Sequence, residues 1–538
     1  MMRKDILSDK RIRGILFVII VCLQLVFIAY WARQKMNLFV DEEYSLEYAS
    51  YFTSVKYGSK IPYTEAFLHN TWIQAKDLKV SYSLEPEESL LHTGPWTMIM
   101  LLLKRRIYYG LINIAETILS PGRVSIMPAI VLNMIIFAGI QIVLYKILKK
   151  LHIRNEYALW GVAFYGFSSL MIGHTIFIRF YTFTILLFLL VILLHQKMWE
   201  EKNTGMFILE EGTALVLLYF SLKCSELTMI YGGAFVGMYL LMLIVNKKYK
   251  TAGLYGIPML GISLLYLGMK TELLNILLHP SMYVNSSFAK SYTTKNVVNT
   301  SWGSVWFWLK THRLWIGQYL FGNTQILDTI LLVLLVLLVW KRDRFFQDPS
   351  RFLMLSLLVT VLIYILFASL SGLFRPKYVC VVYTLIVIVF LYVFDRAMKD
   401  LSWQFVIQAG LCVLLAVIVY GTYDHRDIEY LYEEDTAVVN QLRNNPDLDI
   451  LFLNCDIDRH HAVYDCVYNA GDQARIFFDD PDMELMEEEM PDHMFVWTNE
   501  TMKSEISEEL PGYEVELVGN NHNTFSNIYL AHRRNRNE

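Results

Sequence analysis

Three carboxylate side chains follow one another directly after the first apolar segment of the chain. Asp41, Glu42 and Glu43 lie in the sequence NLFVDEEYS at residues 37–45. A carboxylate held at a lipid surface is partly removed from water, and its pKa then suits the removal of a proton from a hydroxyl group. The alternative is structural, because acidic residues in the first turn of a helix are stabilised by the helix dipole. Adjacent helical residues do not share a face, so Asp41 and Glu42 are not expected to have equal roles.

A histidine and three cations follow in the same outer stretch. His92 opens the sequence HTGPW, and an apolar run at residues 96–103 leads to Lys104, Arg105 and Arg106. The run is too short to cross a membrane and predicts a helix that lies in the interface. The basic cluster either binds anionic headgroups or a lipid-linked phosphate, or it anchors the helix to headgroups in general. His92 alone is equally well explained as a surface histidine.

Two groups of basic and aromatic residues stand at the ends of apolar segments. Arg179 and Tyr181 lie in the sequence IRFYTF, and Arg375, Lys377 and Tyr378 lie in LFRPKY. An ionisable residue at membrane depth is costly unless it is paired or faces a cavity, so a functional role is the default interpretation. Two cations beside a proline could clamp a phosphate, with Arg donating to two oxygens and Lys acting as a point charge. Ordinary interface anchors are the alternative.

The elements that must position these residues are membrane helices. The 538-residue chain is 55% apolar and 18% charged, against about 45–50% and about 25% in soluble domains. A spanning helix needs about 20 mostly apolar residues. We predict about eleven spans, at residues 14–31, 125–146, 156–173, 177–195, 207–222, 226–245, 252–269, 326–340, 353–371, 378–394 and 403–421.

Loop charges orient these spans. All the loops that are predicted inside are basic, as cytoplasmic loops usually are. We therefore expect a multi-pass protein of the plasma membrane with a cytoplasmic N-terminus. The odd number of crossings places the C-terminal tail outside, together with two long outer loops at residues 32–124 and 270–325.

The tail is expected to form a small extracytoplasmic α/β domain, residues 424–538, after an all-α membrane domain of residues 1–423. The tail has 27 acidic and 8 basic residues, a net charge of −19, whereas the preceding residues have 39 basic and 24 acidic, a net charge of +15. Residues 436–442 have helical spacing. Strands are predicted at residues 449–454, 494–498 and, at a sheet edge, 513–518.

Cysteine and histidine residues of the tail add two further expectations. Cys455 and Cys466 face a compartment that permits disulfides, and a bridge and two free thiols are equal alternatives. His460 and His461 lie among acidic residues, but their spacing fits no metal-ligand pattern. A solvated acidic loop is the favoured interpretation of that segment.

The order of these features resembles the GT-C membrane glycosyltransferases, in the branch that includes protein O-mannosyltransferases and the lipid A aminoarabinose transferases. Asp41 and Glu42 resemble the Asp-Glu pair of that family, and the HTGPW sequence resembles its His-Pro-Pro-aromatic step without the first Pro. IRFYTF is similar to the Arg-x-Tyr segment of the family, and the sequence RPKY is similar to its late basic-aromatic step. The resemblance covers about residues 10–395 at the level of architecture.

The resemblance implies that a sugar moves, with inversion, from a polyprenyl-phosphate carrier to an unidentified acceptor outside the membrane. Asp41 is expected to be the base, and Glu42 is expected to orient Asp41 or a metal. The groups expected to meet the donor are His92, Arg179, Tyr181, Arg375, Lys377 and Tyr378. A divalent metal is left open and no other cofactor is implied. The expected partners are the lipid-linked sugar and membrane lipids, not nucleic acid.

Two other classes of protein compete with this interpretation. A flippase or secondary transporter of a lipid-linked or anionic substrate would also be polytopic. Transporters tend to have repeated halves and helices broken by Gly or Pro, and the sequence indicates neither. A non-catalytic membrane anchor for the acidic tail would leave Asp41, Arg179 and Lys377 unexplained.

Overall fold

The chain divides into two compact units. The structure is a computed structural model, and it describes residues 9–54, 71–82, 84, 86–269, 302–340, 348, 350–371, 375–398, 404–424, 428–453, 468–479, 490–498, 503–521 and 526–534. Unit 1 contains Met1–Ile28, Met134–Thr175 and Phe180–Ile428. Unit 2 contains Ala29–Asn133, Ile176–Arg179 and Glu429–Glu538. The acidic tail therefore shares a unit with the segment that follows the first helix.

Helices dominate the described residues. In chain order they are α1 (Lys10–Ala32), α2 (Val40–Ser50), α3 (Ala75–Tyr82), α4 (Pro95–Lys104), α5 (Ile107–Leu119), α6 (Met127–Lys150), α7 (Asn155–Gly166), α8 (Ser169–Ile176), α9 (Tyr181–Glu200), α10 (Thr204–Cys224), α11 (Thr228–Val245), α12 (Tyr249–Met269), α13 (Trp302–Phe321), α14 (Thr324–Trp340), α15 (Arg351–Ser371), α16 (Cys380–Met398), α17 (Gln404–Asp424), α18 (Thr436–Asn444) and α19 (Lys503–Glu509).

The prediction of a polytopic helical fold is confirmed. Among the described residues, eight helices are long and apolar enough to cross a membrane, namely α1, α6, α9, α10, α11, α15, α16 and α17. Helices α12 and α14 cover two further predicted spans. The number of eleven crossings stays a prediction.

One predicted span, residues 156–173, is broken in the structure. Helix α7 ends at Gly166 and α8 begins at Ser169. Ser168 Oγ donates to the carbonyl oxygen of Tyr165 at 2.6 Å and lies 3.3 Å from the N–H of Met171, so one hydroxyl serves both helix ends. The prediction of an unbroken span was wrong, because the regular helical hydrogen bonds stop at the end of α7 and the Ser168 hydroxyl takes their place at both helix ends.

Part of the predicted outer loop 270–325 is helical. Residues 304–316 contain no Gly or Pro and lie within α13. Arg313 pairs with Asp328 of the following helix α14. Residues 270–301 lie outside the described residues.

Unit 2 contains a six-stranded mixed sheet in the order β1-β3-β2-β4-β6-β5. The strands are β1 (Ile73–Gln74), β2 (Asp449–Leu453), β3 (Arg475–Phe478), β4 (His493–Thr498), β5 (Tyr513–Asn521) and β6 (Ser526–Arg533). Strand β2 is parallel to β3 and β4, and β6 is antiparallel to β4 and β5. The tail strands predicted from sequence are confirmed as β2, β4 and β5, with β5 at a sheet edge, whereas β3 and β6 were not predicted.

Strand β1 lies between α2 and α3 in the chain and extends the sheet of the tail. Ile73 lies opposite Ile476, and Gln74 lies opposite Arg475. Next to this strand the Trp72 ring packs on Phe477, with 5.1 Å between centroids, and the Arg475 guanidinium lies 4.7 Å from the same indole. The sheet is therefore built from both ends of the chain. Cys455, Cys466, His460 and His461 lie outside the described residues.

Candidate functional site

Helix α2 places the three carboxylates in its first turn, as predicted. Phe39 has an extended backbone before the helix, and its N–H donates to Glu42 Oε2 at 2.8 Å. This bond closes the first turn, as in a capping box. The Glu42 side chain is fully buried, whereas that of Asp41 is 23% exposed. The two carboxylates therefore have different surroundings, as expected.

Glu42 is buried with a partner of opposite charge. Lys35 Nζ lies 3.0 Å from Glu42 Oε2, and it also donates to the carbonyl oxygen of Tyr430 at 2.6 Å. Glu42 Oε1 accepts a bond of 2.8 Å from the backbone N–H of Ile178. A buried charge is tolerated only with such partners. Glu42 thus ties together three segments of unit 2 that are far apart in sequence.

Arg179 meets Asp41. Arg179 Nη2 lies 3.5 Å from Asp41 Oδ1, and Nη1 donates to the Asp41 carbonyl oxygen at 2.8 Å and to Ser45 Oγ at 3.2 Å. Glu42 fixes the N–H of Ile178, which is the residue before Arg179. The buried Glu42 carboxylate therefore positions the Arg179 guanidinium, and the partly exposed Asp41 carboxylate pairs with it.

Tyr44 and Tyr48 of α2 form an aromatic group with Tyr109. The Tyr48 ring stacks on Tyr109 of α5 at 5.2 Å between centroids, and the Tyr44 ring lies 6.4 Å from Tyr48. Arg106 Nη1 donates to the Tyr109 hydroxyl at 3.3 Å. Burial raises the pKa of Tyr44 to about 12, and the nearby Glu47 adds to that shift. These rings supply flat, neutral surfaces on the helix that carries Asp41.

His92 and the three cations that follow it have separate surroundings in unit 2. His92 is exposed at the end of a 3₁₀ turn, and Lys104 is exposed at the end of α4. Arg105 donates to three carbonyl oxygens at and just beyond the C-terminal end of α2. Arg106 contacts Tyr109 as described above. The predicted cluster is therefore divided, and Arg105 fixes the end of the helix that carries Asp41.

Unit 1 brings together three of the residues predicted to meet the donor. Lys377 is only 3% exposed, and its Nζ lies 5.3 Å from the centroid of the Tyr378 ring. Tyr181, at the start of α9, meets Tyr378 edge-on with 6.5 Å between centroids. Lys377 and Tyr378 lie in a 3₁₀ turn, Pro376–Tyr378. The hydroxyl of Tyr364 donates to the Tyr378 carbonyl oxygen at 2.5 Å and fixes this turn. Arg375, just before that turn, is exposed.

Two polar residues at these positions were not identified from the sequence. His174 is buried in unit 1, with its ring 6.4 Å from that of Tyr181, and its carbonyl oxygen accepts from Thr182 Oγ1 at 2.7 Å. Lys35 is the buried partner of Glu42. The available signal for Lys35 was a cation at the outer end of the first span, which opposes the usual charge bias of outer segments.

Hydrogen-bond donors surround the Glu42 carboxylate. Within the part of the chain that the structure describes, no group of three His, Cys, Asp or Glu side chains is placed to hold a metal ion. Both oxygens of Glu42 already accept hydrogen bonds from Lys35, Phe39 and Ile178. Its geometry fits the positioning of Arg179.

Two solved structures of similar fold cover nearly the whole chain. Two crystal structures of ArnT from Cupriavidus metallidurans, one bound to undecaprenyl phosphate and one in the apo state, have TM-scores of 0.52 and 0.51 and identities of 11% and 12%. They cover 97% and 96% of this chain and 98% and 97% of ArnT. An apo oligosaccharyltransferase from Archaeoglobus fulgidus has a TM-score of 0.43 at 11% identity, covering 86% of this chain and 65% of its own.

The chain therefore has an ArnT-like fold over nearly its full length. No protein-family model and no curated protein sequence matches the chain.

Proposed function

We propose that this chain, which has an ArnT-like GT-C fold, is an integral membrane glycosyltransferase. It moves a sugar from a polyprenyl-phosphate donor to an acceptor outside the membrane, with inversion at the anomeric carbon. One ArnT structure contains undecaprenyl phosphate, a member of this carrier class. The observation that carries the proposal is the Asp41–Arg179 pair, which the buried Lys35–Glu42 pair holds in place.

Asp41 is the proposed base. Its carboxylate is partly exposed while its backbone oxygen is held by Arg179, so a hydroxyl can approach without breaking the support. The acceptor oxygen forms a bond to the anomeric carbon as its proton passes to Asp41. A positioned general base contributes a rate factor of about 10²–10⁴. The Tyr44 and Tyr48 rings on the same helix offer apolar faces for a sugar ring.

Lys377 and Arg375 are the proposed ligands of the departing phosphate. The bond between the anomeric carbon and the phosphate oxygen breaks, and its electron pair leaves with the phosphate. A cation that meets this developing charge stabilises the transition state by about 2–4 kcal/mol. The buried ammonium of Lys377, which lies near the Tyr378 ring, is the stronger candidate because little water screens it. The N-terminus is proposed to be cytoplasmic and the tail extracytoplasmic.

The first prediction concerns Asp41. We expect Asp41→Asn, which keeps the shape and removes the basic oxygen, to lower sugar transfer by about 100-fold or more. Membranes that contain the protein are supplied with one synthetic undecaprenyl-phosphate donor at a time, each carrying a radiolabelled sugar. The measurement is the radioactivity that reaches the acceptor fraction. Protein abundance is measured in the same membranes.

The matched control for this variant is Glu87→Gln. Glu87 is an exposed carboxylate of unit 2, and its neutral variant should transfer normally. Full transfer by Asp41→Asn at equal abundance would exclude the proposed mechanism.

One observation favours a second candidate, a transporter of a lipid-linked substrate. The break between α7 and α8 is a feature that transporters use at their substrate sites. A fluorescent lipid-linked sugar that crosses the bilayer of reconstituted vesicles equally well with wild type and Asp41→Asn, without transfer by either, would select this candidate.

A further inference from the structure

A cavity of about 540 Å³ lies in unit 2, lined by residues with no part in the proposed transfer. Helix α3 contributes Lys76 and Lys79, and the turn between α5 and α6 contributes Arg123. Gly122 has a positive φ of 66°, a conformation that suits glycine and turns the chain before Arg123. The tail contributes Tyr468 and Asp472, which lie shortly before β3. The cavity is thus built by the same two parts of the chain that build the sheet.

The described lining of the cavity is basic. Lys76 and Lys79 are three residues apart and share a helix face. Lys79 Nζ donates to the Ala470 carbonyl oxygen at 2.7 Å and to Asp472 Oδ1 at 2.8 Å, so its position is fixed. The bond from Lys79, together with the charge of Lys76, lowers the pKa of Asp472. Three cations and one carboxylate leave a net charge of +2 on the described lining.

The charge of this lining is opposite to that of the tail. Residues 424–538 carry a net charge of −19, so a general attraction of anions to this part of the protein is not expected. Lys76, Lys79 and Arg123 all come from the segment before residue 124 and concentrate positive charge at one cavity. An anion is therefore favoured there through local contacts.

We propose that this cavity binds a saccharide that carries a phosphate group. A phosphate dianion matches the net charge of +2, and Arg123 can donate to two of its oxygens while Lys76 acts as a point charge. The ring of Tyr468 supplies an apolar wall for the saccharide. The volume lies within the range of about 300–1,000 Å³ that small-molecule sites occupy. Such a site would hold a phosphorylated glycan on unit 2, apart from the transfer chemistry.

The test is calorimetric titration of the full-length protein, in nanodiscs of phosphatidylcholine, with glucose 1-phosphate. We expect glucose, which lacks the phosphate, to bind at least about tenfold more weakly, because a hydrogen bond to a charged group is worth about 1.5–3 kcal/mol. Lys76→Gln and Arg123→Gln should each weaken glucose 1-phosphate binding by a similar factor. Arg534→Gln removes an exposed cation of the same unit and should leave binding unchanged.

Three results would overturn this site. They are absence of glucose 1-phosphate binding by the wild-type protein, equally tight binding of inorganic phosphate, and equal losses in Arg534→Gln and Arg123→Gln. The proposed transfer site is tested separately in the same titration. Binding should persist in Asp41→Asn and Lys377→Met, and its loss in Lys377→Met would assign the phosphate to the transfer site instead.

Discussion

Asp41 and Glu42 are neighbours in the chain but have different surroundings and different proposed roles. Glu42 is sealed in the interior with Lys35, and its second oxygen holds the backbone beside Arg179. Asp41 keeps access to water and receives the guanidinium. The carboxylates were predictable because they stand together after a span. Lys35 was not, since its buried state depends on a carbonyl oxygen at Tyr430 that no local pattern indicates.

Glu47, which lies in the same helix α2, should make the stability of the protein depend on pH. Burial raises the pKa of the Glu47 carboxyl from about 4.5 to about 8. Between these values the folded protein keeps a proton that the unfolded chain has lost, so stability falls as the pH rises. Glu47→Gln resembles the protonated form. It should raise the apparent Tm at pH 8 by about 2–4 °C and change it little at pH 5, as measured by thermal shift in detergent.

Glu434→Gln is the control for Glu47, because Glu434 is an exposed carboxylate of the same unit. Its Tm should follow that of the wild type at both pH values. An equal increase for Glu47→Gln at pH 5 and pH 8 would show that titration of this carboxyl is not the cause.

Lys377 supports a prediction about substrate preference. Lys377→Met keeps the apolar stem and removes the buried charge, so kcat/KM for the lipid-linked donor should fall by about 30-fold or more while the KM for the acceptor changes little. Arg375→Gln should have a smaller effect, because Arg375 is exposed and screened by water. Lys250→Gln, at another exposed lysine of unit 1, serves as the control. A larger effect of Lys377→Met on the acceptor would remove the phosphate assignment.

At the scale of elements, apolar length and spacing predicted most helices well. The spans, the acidic first turn of α2 and the helix of the tail all follow local patterns. The break between α7 and α8 does not follow a local pattern, because it depends on hydrogen bonds of the Ser168 hydroxyl that the sequence does not predict. Helix α13 was missed because its many aromatic and basic residues resemble an interfacial loop. Local patterns therefore give helices but not their interruptions.

Helix α4 supports a prediction about the membrane surface. None of its residues is buried, and Trp96 is 79% exposed. An apolar helix of this kind is expected to lie among lipid headgroups and chains. Benzoylphenylalanine at position 96 should therefore crosslink to lipid in nanodiscs under ultraviolet light, as detected by mass spectrometry. The same residue at exposed position 434 should not, and equal crosslinking at both positions would contradict an interfacial helix.

At the scale of the whole molecule, the sequence did not predict that the tail forms one unit with the segment after the first helix. The tail sheet was partly predictable, because β2 and β4 are apolar runs and β5 alternates. Strand β1 has only two residues, too few for any periodicity, and its partner β3 follows about 400 residues later. A contact of this kind is decided by the folded chain and not by local sequence.

The orientation of the chain supports the last prediction. Alkaline phosphatase becomes active only where disulfides form. We expect a fusion after residue 538 to be active in a bacterial host and a fusion after Lys250, in a predicted inner loop, to be inactive. Comparable expression of both fusions is checked by immunoblot. The reverse pattern would place the tail and the inner loops on the opposite sides.

The pairing of β1 with β3 also means that the sheet of unit 2 can be completed only late in the synthesis of this protein. The segment that contains Lys35, Glu42 and β1 leaves the ribosome early, yet the strand partner of β1 and the carbonyl oxygen of Tyr430 emerge hundreds of residues later. At about 5–20 residues per second, about 400 residues take about 20–80 s. During that interval Lys35 and Glu42 lack part of their final surroundings. A slow step in biogenesis, during which chaperones and proteases can reach an incomplete unit 2, is therefore inherent in this topology.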